Sequence, residues 1–355
     1  MKEESKAMSS AHAGLGNLTN KLEELWLEIG GTCHLHCPYC FASSDGIDDD
    51  PNNLKIETVI KAIKEFASMG GKRLGIVGAG EPFHSQNIKD LFEILDSVYN
   101  TEIITTIFTT GDLLSNQILD HLENYPDITL LIKFNSFKPE IQDRLAGNVG
   151  YTARRDAALG RLITRGYNDG HRLGIVTSVM EDNKNEIVEL LRFARKNNII
   201  FDADTLIPRG RGGTCGLSTV PEETKKILLE CQKVDAEEFG YSWNITSSYI
   251  ASPPCTRFCC HLYIDKTGTV HPCVSSYGVV LGNIKDQSLL EIWEGEIAKI
   301  IRNHKYVGKC TTCLNYKTKK CFSCLGRACT EVTTKFLEDN GCVKTVGCFN
   351  YIPIE

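Results

Sequence analysis

Between about residues 22 and 208, short apolar runs alternate with longer segments in which apolar residues recur three or four positions apart. The short runs are rich in β-branched residues, which is typical of strands buried in a parallel sheet. The longer segments have the spacing of helices that bury one face. The predicted strands are residues 25–29, 73–77, 103–108, 129–134, 173–179 and 199–206, and the predicted helices are 56–69, 88–99, 114–124, 151–165 and 184–196.

Six strands joined by crossover helices predict an α/β fold, namely a partial (β/α)6 barrel similar to a TIM barrel. A doubly wound sheet is the alternative that the pattern leaves open. Both folds gather their functional groups at the carboxyl ends of the parallel strands. Polar or reactive residues follow each predicted strand, at Cys33 and at 78–82, 109–112, 135–136, 182–183 and 209–213.

A change of pattern after residue 213 divides the chain. We expect residues 1–22 to form an N-terminal tail, 23–213 the barrel, 214–250 a linker with a helix at about 221–239, and 251–355 a small cysteine-rich domain. In the last part, Asp265-Lys-Thr-Gly268 lies between two short apolar runs and predicts a hairpin turn. A further amphipathic helix is predicted at 289–301.

Composition narrows the classes of function. The net charge of −6 and the pI near 5.9 provide no basic surface for nucleic acid, so no nucleic-acid partner is expected. No apolar run reaches the roughly 18 residues of a membrane helix, and no secretory signal is present, so we expect a cytoplasmic protein without a membrane partner. In that reducing compartment the 16 cysteines are expected to bind metal rather than to form disulfides.

Three cysteines share the loop after the first predicted strand. Cys33, Cys37 and Cys40 have the spacing C-x3-C-x2-C. Three thiolates hold three irons of a [4Fe–4S] cube, whereas a closed structural cluster uses four ligands. An open coordination position is what distinguishes a catalytic metal site from a structural one. The loop therefore predicts a cluster with one open iron, and a zinc site with His34 or His36 as fourth ligand is the alternative.

This spacing resembles that of the radical S-adenosylmethionine (SAM) enzyme family. In that family the methionine amine and carboxylate of SAM chelate the open iron, and one electron then cleaves SAM to a 5′-deoxyadenosyl radical that abstracts hydrogen. The resemblance implies that Cys33, Cys37 and Cys40 are the cluster ligands and act in catalysis. It also implies that Tyr39 lies beside the adenine.

Other loops resemble further segments of the same family. Residues 78–82, Gly-Ala-Gly-Glu-Pro, resemble its glycine-rich segment, in which a carboxylate such as Glu81 lies near the methionine ammonium. The resemblance implies SAM-binding roles for Gly78, Gly80, Glu81, Asn135 and Ser178, and a carboxylate-binding role for Arg209 and Arg211 in a segment similar to P-x-G-R. Each of these positions is also explained by ordinary turn or strand-end chemistry.

Eleven cysteines between residues 255 and 348 resemble the SPASM extension, which carries auxiliary clusters in this family. The element Gly268-x4-Cys273 fits its pattern, although the later spacings depart from it. One or two zinc ribbons are the alternative. The resemblance implies one or two auxiliary [4Fe–4S] clusters, the first held by Cys255, Cys259 or Cys260, Cys273 and Cys329, and the second by Cys310, Cys313, Cys321 or Cys324, and Cys342 or Cys348.

Two reactions are possible once the 5′-deoxyadenosyl radical has taken hydrogen from the substrate, because the substrate radical is then either oxidised or quenched. Dehydrogenation would pass an electron to an auxiliary cluster, whereas epimerisation would take hydrogen from a free thiol. The candidate donors are the spare thiols, namely Cys215, Cys231 and one of Cys259 or Cys260. A lone cysteine within a helical pattern, such as Cys231, is more often a small core residue.

Only some twenty residues precede the predicted barrel, which leaves no room for the leader-binding domain of many peptide-modifying members. We therefore expect a small-molecule substrate such as a sugar or aminocyclitol, and a reductant such as flavodoxin or ferredoxin. A maturase that modifies a ribosomal peptide is the first alternative. A non-enzymatic zinc-binding interaction protein is the second.

Overall fold

The computed structural model describes residues 20–207, 209–242, 257–302, 306–308, 312–318, 337–338 and 342–345. Its largest element is a nine-stranded sheet, in which six strands from the first part of the chain lie side by side with three from the cysteine-rich part. Strands β1 to β6 pair with their chain neighbours in parallel. They are β1 Glu24–Leu27, β2 Arg73–Ile76, β3 Ile104–Thr109, β4 Ile128–Lys133, β5 Leu173–Val179 and β6 Ile200–Thr205.

The order of these six strands decides between the two predicted architectures. A doubly wound sheet reverses its strand order at a switch point. Here the first six strands follow one another without reversal, as in a barrel wall. The prediction of a partial (β/α)6 barrel is therefore confirmed.

Helices connect successive strands and bury their apolar stripes against the sheet. In the first of them, Val59, Ile63 and Phe66 recur at helical spacing and are buried. One helix, Pro139–Ala146, lies where the sequence analysis predicted none. The helices of this part are α1 Ile56–Ser68, α2 Ile88–Val98, α3 Asn116–Leu122, α4 Pro139–Ala146, α5 Tyr151–Thr164, α6 Ile187–Lys196 and α7 Pro221–Val234.

The cysteine-rich part continues the barrel sheet. Strand β7, His261–Ile264, pairs in parallel with β1, and the predicted hairpin joins it to β8, Thr269–His271, in antiparallel fashion. The single helix predicted at 289–301 is two helices, interrupted before Glu296. The remaining elements are β9 Gly282–Asn283, α8 Leu289–Trp293, α9 Glu296–Arg302, a short helix at Leu314–Lys317, and a small sheet of β10 Tyr306–Gly308, β11 Leu337–Glu338 and β12 Cys342–Thr345.

A buried ion pair joins the barrel to the helix that follows it. Arg195 of α6 donates two hydrogen bonds of 2.8 Å to the carboxylate of Asp235, and both side chains are almost fully buried. Removing one partner leaves the other charge in a poorly solvated position. We expect Asp235→Ala to lower the free energy of unfolding by about 3–5 kcal/mol, measured as a shift in urea midpoint. Glu93→Ala, which removes the half-buried partner of the exposed Lys89, should cost less than about 1 kcal/mol. Equal losses in the two variants would contradict this expectation.

Candidate active site

A cavity of about 280 Å³ opens at the carboxyl ends of the barrel strands. Its wall contains Cys33, Cys37, Tyr39 and Cys40 from the loop after β1. Gly78, Gly80, Glu81 and Ser178 also line it, so eight of the residues predicted from sequence lie around one space. Aromatic side chains of Trp26 and Phe108 form an apolar part of the same wall.

Backbone contacts fix the cysteine loop. The Cys33 amide donates to the Gly46 carbonyl at 3.0 Å, and the Cys40 amide donates to the Cys37 carbonyl at 3.2 Å. The Ala146 carbonyl, at the end of α4, accepts from the Cys37 thiol at 3.7 Å. Burial raises the pKa of Cys33 to about 12 and that of Cys37 to about 11. These thiols are therefore protonated at neutral pH until a metal displaces the proton.

The three thiols suit a cluster better than a single ion. Among the described residues, no three Cys, His, Asp or Glu side chains stand close enough to share one metal ion. In a four-iron cube each thiolate binds a different iron, so three ligands need not converge on one point. The donor set in this loop thus fits a [4Fe–4S] cluster, with Cys33, Cys37 and Cys40 as the residues that would hold it.

The glycine-rich segment brings the backbone against the cysteine loop. Gly80 has a φ of +79°, and a Cβ atom there would lie 2.6 Å from the Gly30 carbonyl oxygen. Only glycine fits so close an approach at that backbone conformation. Glu81, 1% exposed, accepts hydrogen bonds from the Thr109 hydroxyl at 2.6 Å and the Thr110 amide at 2.7 Å. Burial raises the pKa of Glu81 above its ordinary value.

A buried amide links two predicted cofactor-binding residues. Asn135 is fully buried and does not line the cavity itself. Its Nδ2 donates to the Tyr39 hydroxyl at 2.7 Å, and its Oδ1 accepts from the Ser178 amide at 3.1 Å. Asn135 therefore positions the phenol of the cysteine loop relative to the end of β5.

Arg211 is hydrogen-bonded to the backbone of the cysteine loop and of the residues that follow it. Its guanidinium donates to the carbonyl oxygens of Cys37 at 2.9 Å, Ser43 at 2.9 Å and Ser44 at 2.8 Å. Arg209 stacks on the Tyr277 ring, with its guanidinium carbon 3.0 Å from the ring centroid. Neither arginine is among the residues that line the cavity, so a ligand-binding role for them stays a prediction.

Cys215 also lies beside the cavity rather than in its wall. It packs near Tyr39, Met180 and Leu206. Its thiol donates to the Gly212 carbonyl at 3.5 Å. A role as hydrogen donor stays a prediction.

The auxiliary-cluster residues are only partly described. Cys259 and Cys260 are buried, and Cys273 and Cys313 are partly exposed. Cys342 begins β12. Cys255, Cys310, Cys321, Cys324, Cys329 and Cys348 lie outside the described residues.

Three charged residues of the cavity wall were missed by the sequence analysis. Lys133 at the end of β4 donates to the Ser178 hydroxyl at 2.8 Å and lies 5.2 Å from the Tyr39 ring centroid. Burial lowers the pKa of Lys133 to about 8. Asp202 and Asp204 of β6 line the same cavity. The sequence signal that could have found these residues is a charged residue inside an otherwise apolar buried strand. Such a charge is costly to bury without a partner or a function.

Comparison with protein-family models identifies both parts of the chain. The model of the Radical SAM superfamily matches residues 27–194, and an iron-sulfur cluster-binding domain called SPASM matches residues 255–314. The chain belongs to the radical SAM enzymes with a SPASM domain. Such an enzyme uses a [4Fe–4S] cluster with SAM, and its SPASM domain carries auxiliary iron–sulfur clusters.

Similar proteins act on different substrates. An AdoMet-dependent heme synthase of Methanosarcina barkeri is 26% identical over 360 residues, covering 93% of this chain and 99% of that protein. A PqqA peptide cyclase of Ruegeria pomeroyi is 28% identical over 303 residues, covering 81% of this chain and 78% of that protein. The structure of Streptococcus suis SuiB bound to S-adenosylmethionine shares the fold, with a TM-score of 0.68 and 17% identity over 91% of this chain and 77% of that chain.

In the part of the chain that the structure describes, no helix is long and apolar enough to cross a membrane.

Proposed function

We propose that this enzyme oxidises or epimerises a small polar molecule, such as a sugar or aminocyclitol, in a biosynthetic pathway. The proposal rests on one observation, namely that the three thiols of the cysteine loop and a set of charged side chains line the same cavity. Cys33, Cys37 and Cys40 hold the [4Fe–4S] cluster. When bound, the cluster and SAM supply the 5′-deoxyadenosyl radical that takes hydrogen from the substrate.

The chain's own residues position SAM and exclude water. Gly78 and Gly80 let the backbone approach the methionine end, and Glu81 provides a carboxylate for its ammonium. Tyr39 and Ser178 contact the nucleoside end, oriented by Asn135. Trp26 and Phe108 shield the reacting atoms from solvent.

The similarity to a heme synthase supports a small-molecule substrate. That protein aligns over 99% of its length and has a small molecule in its name. A peptide maturase is the second candidate function, favoured by the similarity to a PqqA peptide cyclase.

Anaerobic reconstitution with iron and sulfide tests the proposal. Full-length protein should turn brown and bind about twelve irons per chain if three four-iron clusters form. Reduced with dithionite or a flavodoxin, it should convert SAM to 5′-deoxyadenosine. Colourless, zinc-containing protein that leaves SAM intact would overturn the assignment.

Turnover in D2O separates the two reactions once a substrate is found. Epimerisation through an exchangeable thiol such as that of Cys215 places deuterium on the product carbon, whereas dehydrogenation does not. A deuterated product whose label is lost in Cys215→Ala would support epimerisation. An unlabelled product with one unsaturation would support oxidation.

A further inference from the structure

A buried carboxylate lies behind the cysteine loop. The side chain of Asp112, just after β3, is fully buried and is not among the residues that line the cavity. It lies 2.9 Å from His34 Nε2 and accepts hydrogen bonds from the Thr110 hydroxyl at 2.8 Å and from Arg154 Nε at 3.1 Å. Burial raises the pKa of Asp112, but these three contacts outweigh burial and lower it below its ordinary value. Asp112 is therefore ionised at neutral pH.

The groups around Asp112 come from three parts of the barrel. His34 belongs to the cysteine loop and directly follows Cys33. Thr110 follows β3, and Arg154 lies in α5. An ionised carboxylate accepts hydrogen bonds but cannot donate them, so His34 Nε2 is the donor. Asp112 therefore fixes the His34 ring relative to the end of β3 and to α5.

Arg154 also holds the backbone of His34. Its Nη2 donates to Asn148 Oδ1 at 2.9 Å, and the side-chain amide of Asn148 donates to the His34 carbonyl at 3.4 Å. Together with Asp112, these contacts form a closed ring of hydrogen bonds. The residue next to Cys33 is thus held through its side chain and through its carbonyl.

Thr110 connects this ring of hydrogen bonds to the glycine-rich segment. Its hydroxyl donates to Asp112, and its backbone amide donates to the Glu81 carboxylate at 2.7 Å. Glu81 is the residue proposed above to provide a carboxylate for the methionine ammonium of SAM. A short network of hydrogen bonds therefore links the cysteine loop to that carboxylate.

We propose that Asp112 and Arg154 are positioning residues for SAM cleavage. They hold the part of the cysteine loop that begins at Cys33 in a fixed place relative to Glu81, so the cluster ligands and the ammonium-binding carboxylate keep one arrangement. Neither side chain lines the cavity, so both act through neighbouring residues. This inference rests on the roles that the proposed function gives to Cys33 and Glu81, and it does not depend on the substrate.

Asp112→Asn tests the inference. The amide keeps the shape of the side chain but has one acceptor oxygen for three donors. We expect SAM to bind at least about tenfold more weakly, comparable to losing a residue that orients a metal ligand. The measurement is the Kd of labelled SAM by anaerobic equilibrium dialysis against reconstituted full-length protein. The change that SAM causes in the EPR spectrum of the reduced protein should require correspondingly more SAM.

Asp235→Asn is the matched control. The Asp235 side chain is equally buried and also accepts from an arginine, but it follows α7 and does not line the cavity. This variant should lose stability and keep the affinity of the parent for SAM. If Asp112→Asn also lost stability while binding SAM like the parent, Asp112 would have only a structural role and the inference would be overturned.

Arg154→Ala decides the question if Asp112→Asn does not fold or retains less iron than the parent. The Arg154 side chain is 43% exposed, so its loss is easier to tolerate. SAM should bind at least about threefold more weakly, on the scale of a half-exposed ion pair. Arg165→Ala, which removes the ion pairs of another arginine at the end of α5, should bind SAM like the parent.

The affinity of Arg154→Ala for SAM also separates the two ways in which the argument can fail. An unchanged affinity in this variant would overturn the inference and leave the proposed function intact. A parent protein that neither binds SAM nor releases 5′-deoxyadenosine would instead refute the proposed function, and the inference with it.

Discussion

Cys37→Ala is expected to reduce the release of 5′-deoxyadenosine at least about 100-fold, because even the loss of a residue that only orients a metal ligand costs about 10–100-fold. Cys37 lines the cavity beside Cys33 and Cys40, and we propose that each of these three thiolates binds one iron. With only two thiolate ligands, two irons of the cluster lack a protein ligand, so the protein retains the cluster poorly. The measurement is 5′-deoxyadenosine released per chain after anaerobic reconstitution and reduction, together with bound iron.

Cys231→Ala is the matched control for this loss. Cys231 is also buried, but it lies in α7 within the hydrophobic core and away from the cavity wall. Its removal deletes one buried sulfur, so a small loss of stability is expected while the release of 5′-deoxyadenosine continues. If the two variants lost activity equally, the thiol of Cys37 would have no special role in holding the cluster.

The barrel was largely predictable because its strands and helices follow local rules. Every predicted strand lies within two residues of the observed one, as β5 and β6 illustrate. Helix α4 was missed because it spans only eight residues and its apolar face is short. The pairing of β7 with β1 was also missed, because a pairing between strands far apart in sequence leaves no local signal.

The site was predicted to the extent that its residues form short motifs. The cysteine loop and the glycine-rich segment carry fixed spacings, and both line the cavity. Lys133 lies on β4, whereas Asp202 and Asp204 lie on β6, and only the fold brings the two strands to one cavity. For Arg211, the motif indicated a functional arginine. Its hydrogen bonds to three backbone carbonyls depend instead on the path of a loop that lies 167 to 174 residues earlier in the chain.

Gly147→Ala should displace the cysteine loop. Gly147 follows α4 in the left-handed conformation, with a φ of +63°, and an added Cβ would lie 2.2 Å from the His36 carbonyl oxygen. The loop has little freedom to move away, because the neighbouring Ala146 carbonyl accepts from the His36 amide and from the Cys37 thiol. We expect this variant to retain less iron and to release 5′-deoxyadenosine at least about tenfold more slowly, comparable to losing a residue that orients a metal ligand.

Gly166→Ala is the control that separates the effect of the added contact with His36 from the effect of backbone strain. Gly166 follows α5 with a φ of +77°, and an added Cβ there would have no atom within 4 Å. Both substitutions place alanine in a left-handed conformation, which costs about 1–2 kcal/mol. Gly166→Ala should therefore shift the urea midpoint but leave iron content and the release of 5′-deoxyadenosine unchanged. If Gly147→Ala likewise shifted the urea midpoint but left iron content and the release of 5′-deoxyadenosine unchanged, the added contact with His36 would not disturb the cluster. The end of α4 would then not be what holds Cys37 in place.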